Sequence, residues 1–182
     1  AQMPRRRGLA YRVAQHFLAA EAFEEALEPL GTAVKELAQG GDIAEVKGVL
    51  SDYDLALSRL DLSADDPRFA QRFFVEVGVA EGGAEWDRLG EILVELDREV
   101  WPEMGVTVLR SRSRLAAARG QMDRALHLAR QAVQASQGEE RAQASNLLGM
   151  QLLARGQLVE AQEALEEALG LSGPAFAGPI AL

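Results

Sequence analysis

The stretch GQMDRALHLARQA, residues 120–132, is copied 36 positions later as GQLVEAQEALEEA, residues 156–168. Each copy opens with glycine and glutamine, and each carries alanine at its sixth and last positions. A period of this length is typical of proteins that stack helical hairpins into a solenoid, and such solenoids commonly present extended binding surfaces. The self-similarity therefore predicts a repeat scaffold.

The rest of the chain has the pattern of an all-α protein. Apolar residues recur at spacings of three and four, and no run shows the strict alternation of a half-buried strand. About nine helices are predicted near residues 5–20, 22–38, 43–60 and 67–81, in the segment from Trp86 to Leu96, and near 102–119, 121–136, 140–155 and 157–170. The clearest boundary is Asp66-Pro67, where an aspartate caps a helix that begins with proline.

Small residues at helix crossings set the register of the repeats. In a 34-residue frame that sets Gly149 at place 8, small residues recur at place 8 of the first helix and place 20 of the second, and small residues at a crossing let two helices approach closely. The predicted pairs are Ala14 with Ala26, Gly78 with Gly90, Ser113 with Ala125, and Gly149 with Ala161. Regular repeats then cover 106–139 and 142–175, weaker ones cover 7–40 and 71–104, and the helix at 43–60 is irregular. Together they predict one repeat domain over 1–172, followed by an apolar tail at 173–182.

Composition excludes several classes of partner. The net charge of −9 opposes nucleic-acid binding. The dense basic run Arg5-Arg6-Arg7 is interpreted as a solvated helix start, with a nucleic-acid or membrane contact as the alternative. No segment approaches the apolar length of a membrane-spanning helix, so neither nucleic acid nor a membrane is expected as a partner. The absence of cysteine favours a reducing, cytoplasmic setting. Because the chain opens with Ala1, it is interpreted as a piece of a longer protein.

The residues of this frame make the chain similar to tetratricopeptide-repeat proteins, strongly over 106–175 and more weakly over 7–105. The resemblance implies a right-handed superhelix of helical hairpins, although the consensus tryptophan at place 4 is absent from every copy. AYRVAQHFLAA, residues 10–20, followed by FEEAL, residues 23–27, also resembles the first repeat after the P-loop ATPase module of large bacterial signalling regulators. That likeness implies a sensing or recruiting region. The phosphate-binding motif of such ATPases does not occur in this sequence.

No catalytic residue, metal site or cofactor is predicted. The two histidines, His16 and His127, lie far apart and outside any metal-binding motif. Three serines that could act as nucleophiles lie within predicted helices and lack a glycine-flanked elbow, namely Ser111, Ser113 and Ser145. Adjacent glutamates point about 100° apart on a helix and are interpreted as a solvated face. The chain is therefore predicted not to be an enzyme.

The predicted binding residues lie on the helix faces that a right-handed solenoid turns inward. They are Thr107, Arg110 and Arg114 on the sixth helix, and Gln143, Asn146 and Met150 on the eighth. Arg110 and Arg114 share one helix face because they are four residues apart. Guanidinium groups suit a peptide carboxylate, which they bind through two parallel hydrogen bonds. The alternative is that these arginines pair with neighbouring glutamates of an acidic protein.

The sequence thus predicts a protein or peptide interaction scaffold, serving as a regulatory module of a larger signalling protein. The alternative is a domain that senses a small effector and controls an attached ATPase or kinase. Trp86 and Trp101 are assigned to core packing, with a ligand platform as the alternative. The apolar tail at 173–182 is expected to cover an apolar edge of its own domain or of a second copy, through self-association, unless it marks an artificial cut.

Overall fold

A computed structural model of the chain describes residues 8–40, 43–63, 66–98 and 104–171. These residues form nine α-helices and no strand, which confirms the predicted all-α class and number of helices. The helices are α1 (Leu9–Ala19), α2 (Phe23–Gly40), α3 (Ile43–Arg59), α4 (Pro67–Gly82), α5 (Trp86–Arg98), α6 (Gly105–Ala118), α7 (Met122–Ala135), α8 (Gly138–Ala154) and α9 (Leu158–Leu171). The predicted basic run, Trp101 and the tail at 173–182 lie outside the described residues.

The chain divides into two compact units, a first within Ala1–Trp101 and a second within Pro102–Leu182. In the first unit α1 and α3 both contact α2, α4 contacts α2 and α3, and α5 packs on α4. The core between these helices is apolar and includes Leu30, Val46 and the fully buried Tyr53. Helix α3, predicted to be irregular, is therefore an integral part of the first unit's core.

In the second unit each helix packs against its neighbour in the chain. Helix α7 contacts α6 and α8, α9 contacts α8, and α6 also contacts α8. Most of the buried residues at the hairpin crossings are alanines, namely Ala116, Ala125, Ala129, Ala132, Ala161 and Ala168. The two sequence copies form α7 and α9, the second helices of successive hairpins.

One turn geometry closes four helical hairpins, α1 with α2, α4 with α5, α6 with α7, and α8 with α9. The residue after the helix cap has a left-handed backbone at Glu21, Ala84, Gly120 and Gly156. In each turn the following residue donates its backbone N–H to the carbonyl five positions earlier, at distances of 2.8 to 3.0 Å. This is the Schellman pattern of helix ends, which satisfies the last carbonyl groups of the first helix.

The turns correct the predicted register of the α4–α5 hairpin by one residue. In the other three hairpins the small residues lie seven positions before and five positions after the left-handed residue. Counting in the same way from Ala84 gives Val77 and Leu89, both of which are buried. A Cβ added at Gly78 would meet nothing within 4 Å. The predicted crossing of Gly78 with Gly90 is therefore wrong, because bulkier residues occupy the equivalent places.

The predicted close crossings are confirmed in the second unit. A Cβ added at Gly149 would lie 2.6 Å from Cγ of Leu165 and 3.3 Å from the carbonyl oxygen of Ala161. At the equivalent place, Ser113 is fully buried and its hydroxyl donates a 2.8 Å hydrogen bond to the carbonyl oxygen of Ala125. In both hairpins the first helix thus approaches the backbone of the second.

The predicted cap at Asp66 is also confirmed. Its carboxylate accepts hydrogen bonds from the Arg68 guanidinium at 2.8 and 2.7 Å and from the Arg68 backbone N–H at 2.9 Å. These bonds hold the pKa of Asp66 at about 2, below its ordinary value. The cap is therefore fully charged at neutral pH.

We expect Asp66→Asn to lower the thermal unfolding midpoint at neutral pH and to lose this effect in acid. A carboxyl group with a depressed pKa contributes its charge-dependent stability above its unfolded pKa of about 3.9. That contribution is lost as the pH falls toward the folded pKa of about 2. Thermal unfolding of both proteins, followed by circular dichroism across this pH range, measures the effect. A midpoint difference that stays constant with pH would contradict the role of the charge.

Candidate functional site

Helix α8 leaves one narrow stripe exposed. The rest of α8 is covered by its neighbours: Ala144 packs against α7, and Leu152 packs against α9. Beyond its first turn the exposed residues of α8 are Asn146, Met150, Leu153 and Ala154. Met150 exposes 59% of its surface and Leu153 exposes 47%. Gln143, which is half-buried, and the exposed Asn146, Met150 and Leu153 form a continuous line along the helix, here named the α8 stripe.

A hydrogen bond joins the two helices that carry the predicted binding residues. Arg110 on α6 donates from Nη1 to Oε1 of Gln143 on α8 at 2.7 Å, and both side chains are half-buried. Gln143 in turn donates from Nε2 toward Glu139 at 3.5 Å. The amide oxygen of Gln143 therefore holds the guanidinium of Arg110 against α8.

The other four predicted residues lie on the same two helices as Arg110 and Gln143. Thr107 and Arg114 are half-buried and lie three and four residues from Arg110 on α6. Asn146 and Met150 are exposed on the α8 stripe. The structure thus brings one predicted pair into contact and places the other four residues along the same two helix faces.

The first unit contains a charged site that the sequence analysis did not predict. Arg72 on α4 donates from Nε and Nη2 to the two carboxylate oxygens of Asp54 on α3, at 2.7 and 2.9 Å. Its Nη1 pairs with Glu76, one turn further along α4. Arg88 on α5 donates to Glu76 from Nε at 3.0 Å and to Glu91 from Nη1 at 2.9 Å. These five residues, the arginine network, connect α3, α4 and α5.

The centre of the arginine network is buried. The side chains of Glu76 and Arg72 expose only 10% and 13% of their surface, whereas those of Arg88 and Asp54 are about half exposed. Burial alone lowers the pKa of Arg72, but the hydrogen bond to Asp54 and the charge of Glu76 outweigh it and raise the pKa. Arg72 is therefore charged, and the carboxylate of Glu76 lies between two guanidinium groups.

A cavity of about 320 Å³, here named the charged cavity, opens beside this network. Its charged lining consists of Lys47, Arg72, Arg88, Asp54, Glu76 and Glu85. Lys47 on α3 and Glu85 in the α4–α5 turn form an ion pair at 3.1 Å. The remaining wall is Leu50, Ser51, Val79 and Ala80. A neighbouring cavity of about 290 Å³ shares four of the charged residues and adds Phe69 and Phe73.

The sequence contained one signal of this site. Counted from the corrected turn at Ala84, Glu76 falls at place 7, where the predicted repeat frame expects an apolar residue. Arg72 precedes Glu76 by four residues and is its expected partner on the same helix face. The one-residue register error concealed the signal, because a frame with Gly78 at place 8 assigns place 7 to Val77 instead.

No protein-family model matches the chain, and no curated protein is significantly similar to it. Within the ranges 8–40, 43–63, 66–98 and 104–171, no group of three or more acidic or histidine side chains could hold a metal ion. No helix in the described part of the chain combines the length and apolar character needed to cross a membrane. The two sites are therefore interpreted from their own geometry.

Proposed function

We propose that the protein is a tetratricopeptide-like interaction scaffold whose second unit binds a peptide or protein across α6 and α8. The observation that carries this proposal is the α8 stripe, because its exposed Met150 and Leu153 lie along the helix from the Arg110–Gln143 contact. Exposed apolar side chains at helical spacing offer a surface for apolar partner residues, and methionine adapts to varied shapes. Asn146, exposed between them and the contact, adds hydrogen-bonding capacity.

The guanidinium groups on this surface suit an acidic group on the partner. This surface carries two guanidinium groups, Arg110 and Arg114, on a chain whose net charge is −9. Guanidinium groups bind carboxylates through paired, charge-assisted hydrogen bonds. We therefore propose a peptide ligand that combines a carboxylate, such as a free C-terminus, with apolar residues for Met150 and Leu153.

The family and cellular setting are part of the same proposal. The four hairpins closed by one turn geometry support a tetratricopeptide-like repeat, and the 36-residue interval between Gly120 and Gly156 is close to its period. The likeness of residues 10–27 to bacterial ATPase-coupled regulators supports a role as a regulatory module of a larger cytoplasmic signalling protein. Within such a protein the second unit would recruit a partner.

Replacing both Arg110 and Arg114 with alanine is expected to weaken peptide binding about tenfold or more, because charge-assisted hydrogen bonds contribute roughly 1.5 to 3 kcal/mol. Peptides selected from a library against the full chain are compared by fluorescence anisotropy as free acids and as C-terminal amides. Helicity is expected to be unchanged by circular dichroism.

The matched control replaces Arg124 and Arg130, two exposed arginines of α7, with alanine. It removes the same charge from the second unit but leaves α6 and the α8 stripe intact. Equal weakening by both double variants would assign the effect to net charge. Unchanged affinity in the Arg110 and Arg114 double variant would contradict the proposed surface.

A second candidate function, recognition of a small effector, is favoured by the charged cavity of the first unit. Its volume of about 320 Å³ lies at the lower end of the range for ligand sites. In this candidate the bound effector would control an attached ATPase or kinase. Because the two candidates use different units, variants in one unit test one candidate at a time.

A further inference from the structure

The charged cavity presents its charges at two depths. Arg72 and Glu76 form the inner pair, because both side chains are largely buried and paired within the arginine network. The outer groups are the cations Lys47 and Arg88 and the carboxylates Asp54 and Glu85, whose side chains are 29% to 62% exposed. A ligand that enters the cavity therefore meets two cations and two carboxylates that remain accessible to solvent.

The outer groups keep bonding capacity beyond their present contacts. A guanidinium carries more N–H groups than the three that Arg88 uses toward Glu76 and Glu91. The carboxylate of Asp54 accepts one hydrogen bond at each oxygen from Arg72, and each oxygen can accept another. Lys47 and Glu85 form a single ion pair in which Lys47 is exposed and Glu85 is half-buried, so Lys47 can change partners at low cost.

The balance of charge decides the class of ligand. The lining holds three cations and three carboxylates, so its net charge is zero. A simple anion would be attracted by Lys47 and Arg88 but repelled by Asp54 and Glu85, and a simple cation would meet the reverse problem. A molecule with one positive and one negative group satisfies both sets at once.

The size and remaining wall restrict the ligand further. The cavity is about 320 Å³, near the minimum for a ligand site and small for a nucleotide. Leu50, Val79 and Ala80 provide an apolar wall, and Ser51 contributes a hydroxyl group. The space therefore suits a compact zwitterion with a small apolar substituent.

We propose that the charged cavity binds a free amino acid or a similar small zwitterion. Lys47 and Arg88 would hold the carboxylate, Glu85 and Asp54 the ammonium group, and the apolar wall the side chain. This inference rests on the second candidate function, effector recognition, and names the chemical class of the effector. It is independent of the peptide surface in the second unit.

Isothermal titration calorimetry of the full chain with each of the common amino acids tests the proposal. For the tightest ligand, two matched analogues are then titrated, one lacking the carboxylate and one lacking the amine. For L-valine these are isobutylamine and isovalerate. Each analogue is expected to bind about tenfold or more weakly, because each loses charge-assisted hydrogen bonds.

Two variants locate the site. Lys47→Met and Glu85→Gln are each expected to weaken binding of the amino acid about tenfold, since each removes one charged partner. Arg130→Met, which breaks an exposed ion pair with Glu160 in the second unit, is expected to leave the affinity unchanged. Thermal unfolding of each variant verifies that the first unit is intact.

The possible failures are distinguishable. If isovalerate binds as tightly as valine and Lys47→Met weakens both, the cavity recognises an anion, so the zwitterion proposal is wrong while effector recognition is retained. If amino acids bind but neither cavity variant changes the affinity, the proposed location is wrong. If neither the amino acids nor the analogues bind at concentrations up to about 10 mM, well above ordinary metabolite affinities, the zwitterion proposal fails.

Discussion

Replacing Glu76 with alanine is expected to lower the free energy of unfolding by about 3 kcal/mol, the low end of the range for removing one partner from a buried ion pair. The loss leaves two guanidinium groups without the carboxylate that lies between them. The low end applies because Arg72 retains Asp54 and Arg88 remains partly hydrated. Urea denaturation followed by far-ultraviolet circular dichroism measures the change.

Glu91→Ala is the matched control, because Glu91 pairs with the same Arg88 but its side chain is 65% exposed. Exposed ion pairs contribute little, so this variant is expected to cost less than about 1 kcal/mol. If Glu76→Ala cost no more than Glu91→Ala, the arginine network would contribute no more than an ordinary surface pair. The comparison therefore separates burial from the mere number of ion pairs.

Gly149→Ala is expected to destabilise the protein by about 1 to 2 kcal/mol, although alanine is the better helix former. The added Cβ would overlap Cγ and Cδ2 of Leu165, at 2.6 and 2.8 Å, so the side chain or the helix must move. Overpacking costs roughly 1 to 3 kcal/mol, and two overlaps below 3 Å place this site in the upper part of that range. About 1 to 2 kcal/mol then remains after the gain in helix propensity of about 1 kcal/mol. Thermal and urea unfolding provide the measurement.

Gly78→Ala is the control for this prediction, because Gly78 lies within α4 and a Cβ there meets nothing within 4 Å. It is expected to stabilise the protein by about 0.5 to 1 kcal/mol through helix propensity alone. Combining Gly149→Ala with Leu165→Ala is expected to cost less than the sum of the two single changes, since the second change removes the overlapping atoms. A stabilising Gly149→Ala would show that α8 and α9 do not approach closely at this place.

The helices were predictable because their evidence is local. Apolar spacing, the Asp66 cap and the copied stretches each depend on residues within one or two turns, and all of them agree with the structure. The register of α4 was not predictable in the same way. Gly82 and Gly83 suggest a glycine turn, yet the left-handed residue is Ala84, whose sequence gives no indication of that backbone.

The candidate sites depended on packing between helices and were therefore only partly predictable. Helical spacing correctly placed Arg110 and Arg114 on one face, but the bond from Arg110 to Gln143 depends on how α6 and α8 are aligned. The link from Arg72 to Asp54 required knowledge that α4 packs on α3, a helix for which the repeat frame offered no partner. Local patterns identify helix faces, whereas contacts across helices require the tertiary structure.

The four hairpin turns share a shape but differ in how they reach it. Gly120 and Gly156 adopt the left-handed backbone without steric penalty, whereas an L-residue such as Glu21 or Ala84 is disfavoured there by roughly 1 to 2 kcal/mol. The second unit thus encodes its turns in the local sequence, and its hairpins can begin to form before distant contacts exist. The first unit must impose its turns through the completed core, so its hairpins and its core are expected to fold cooperatively.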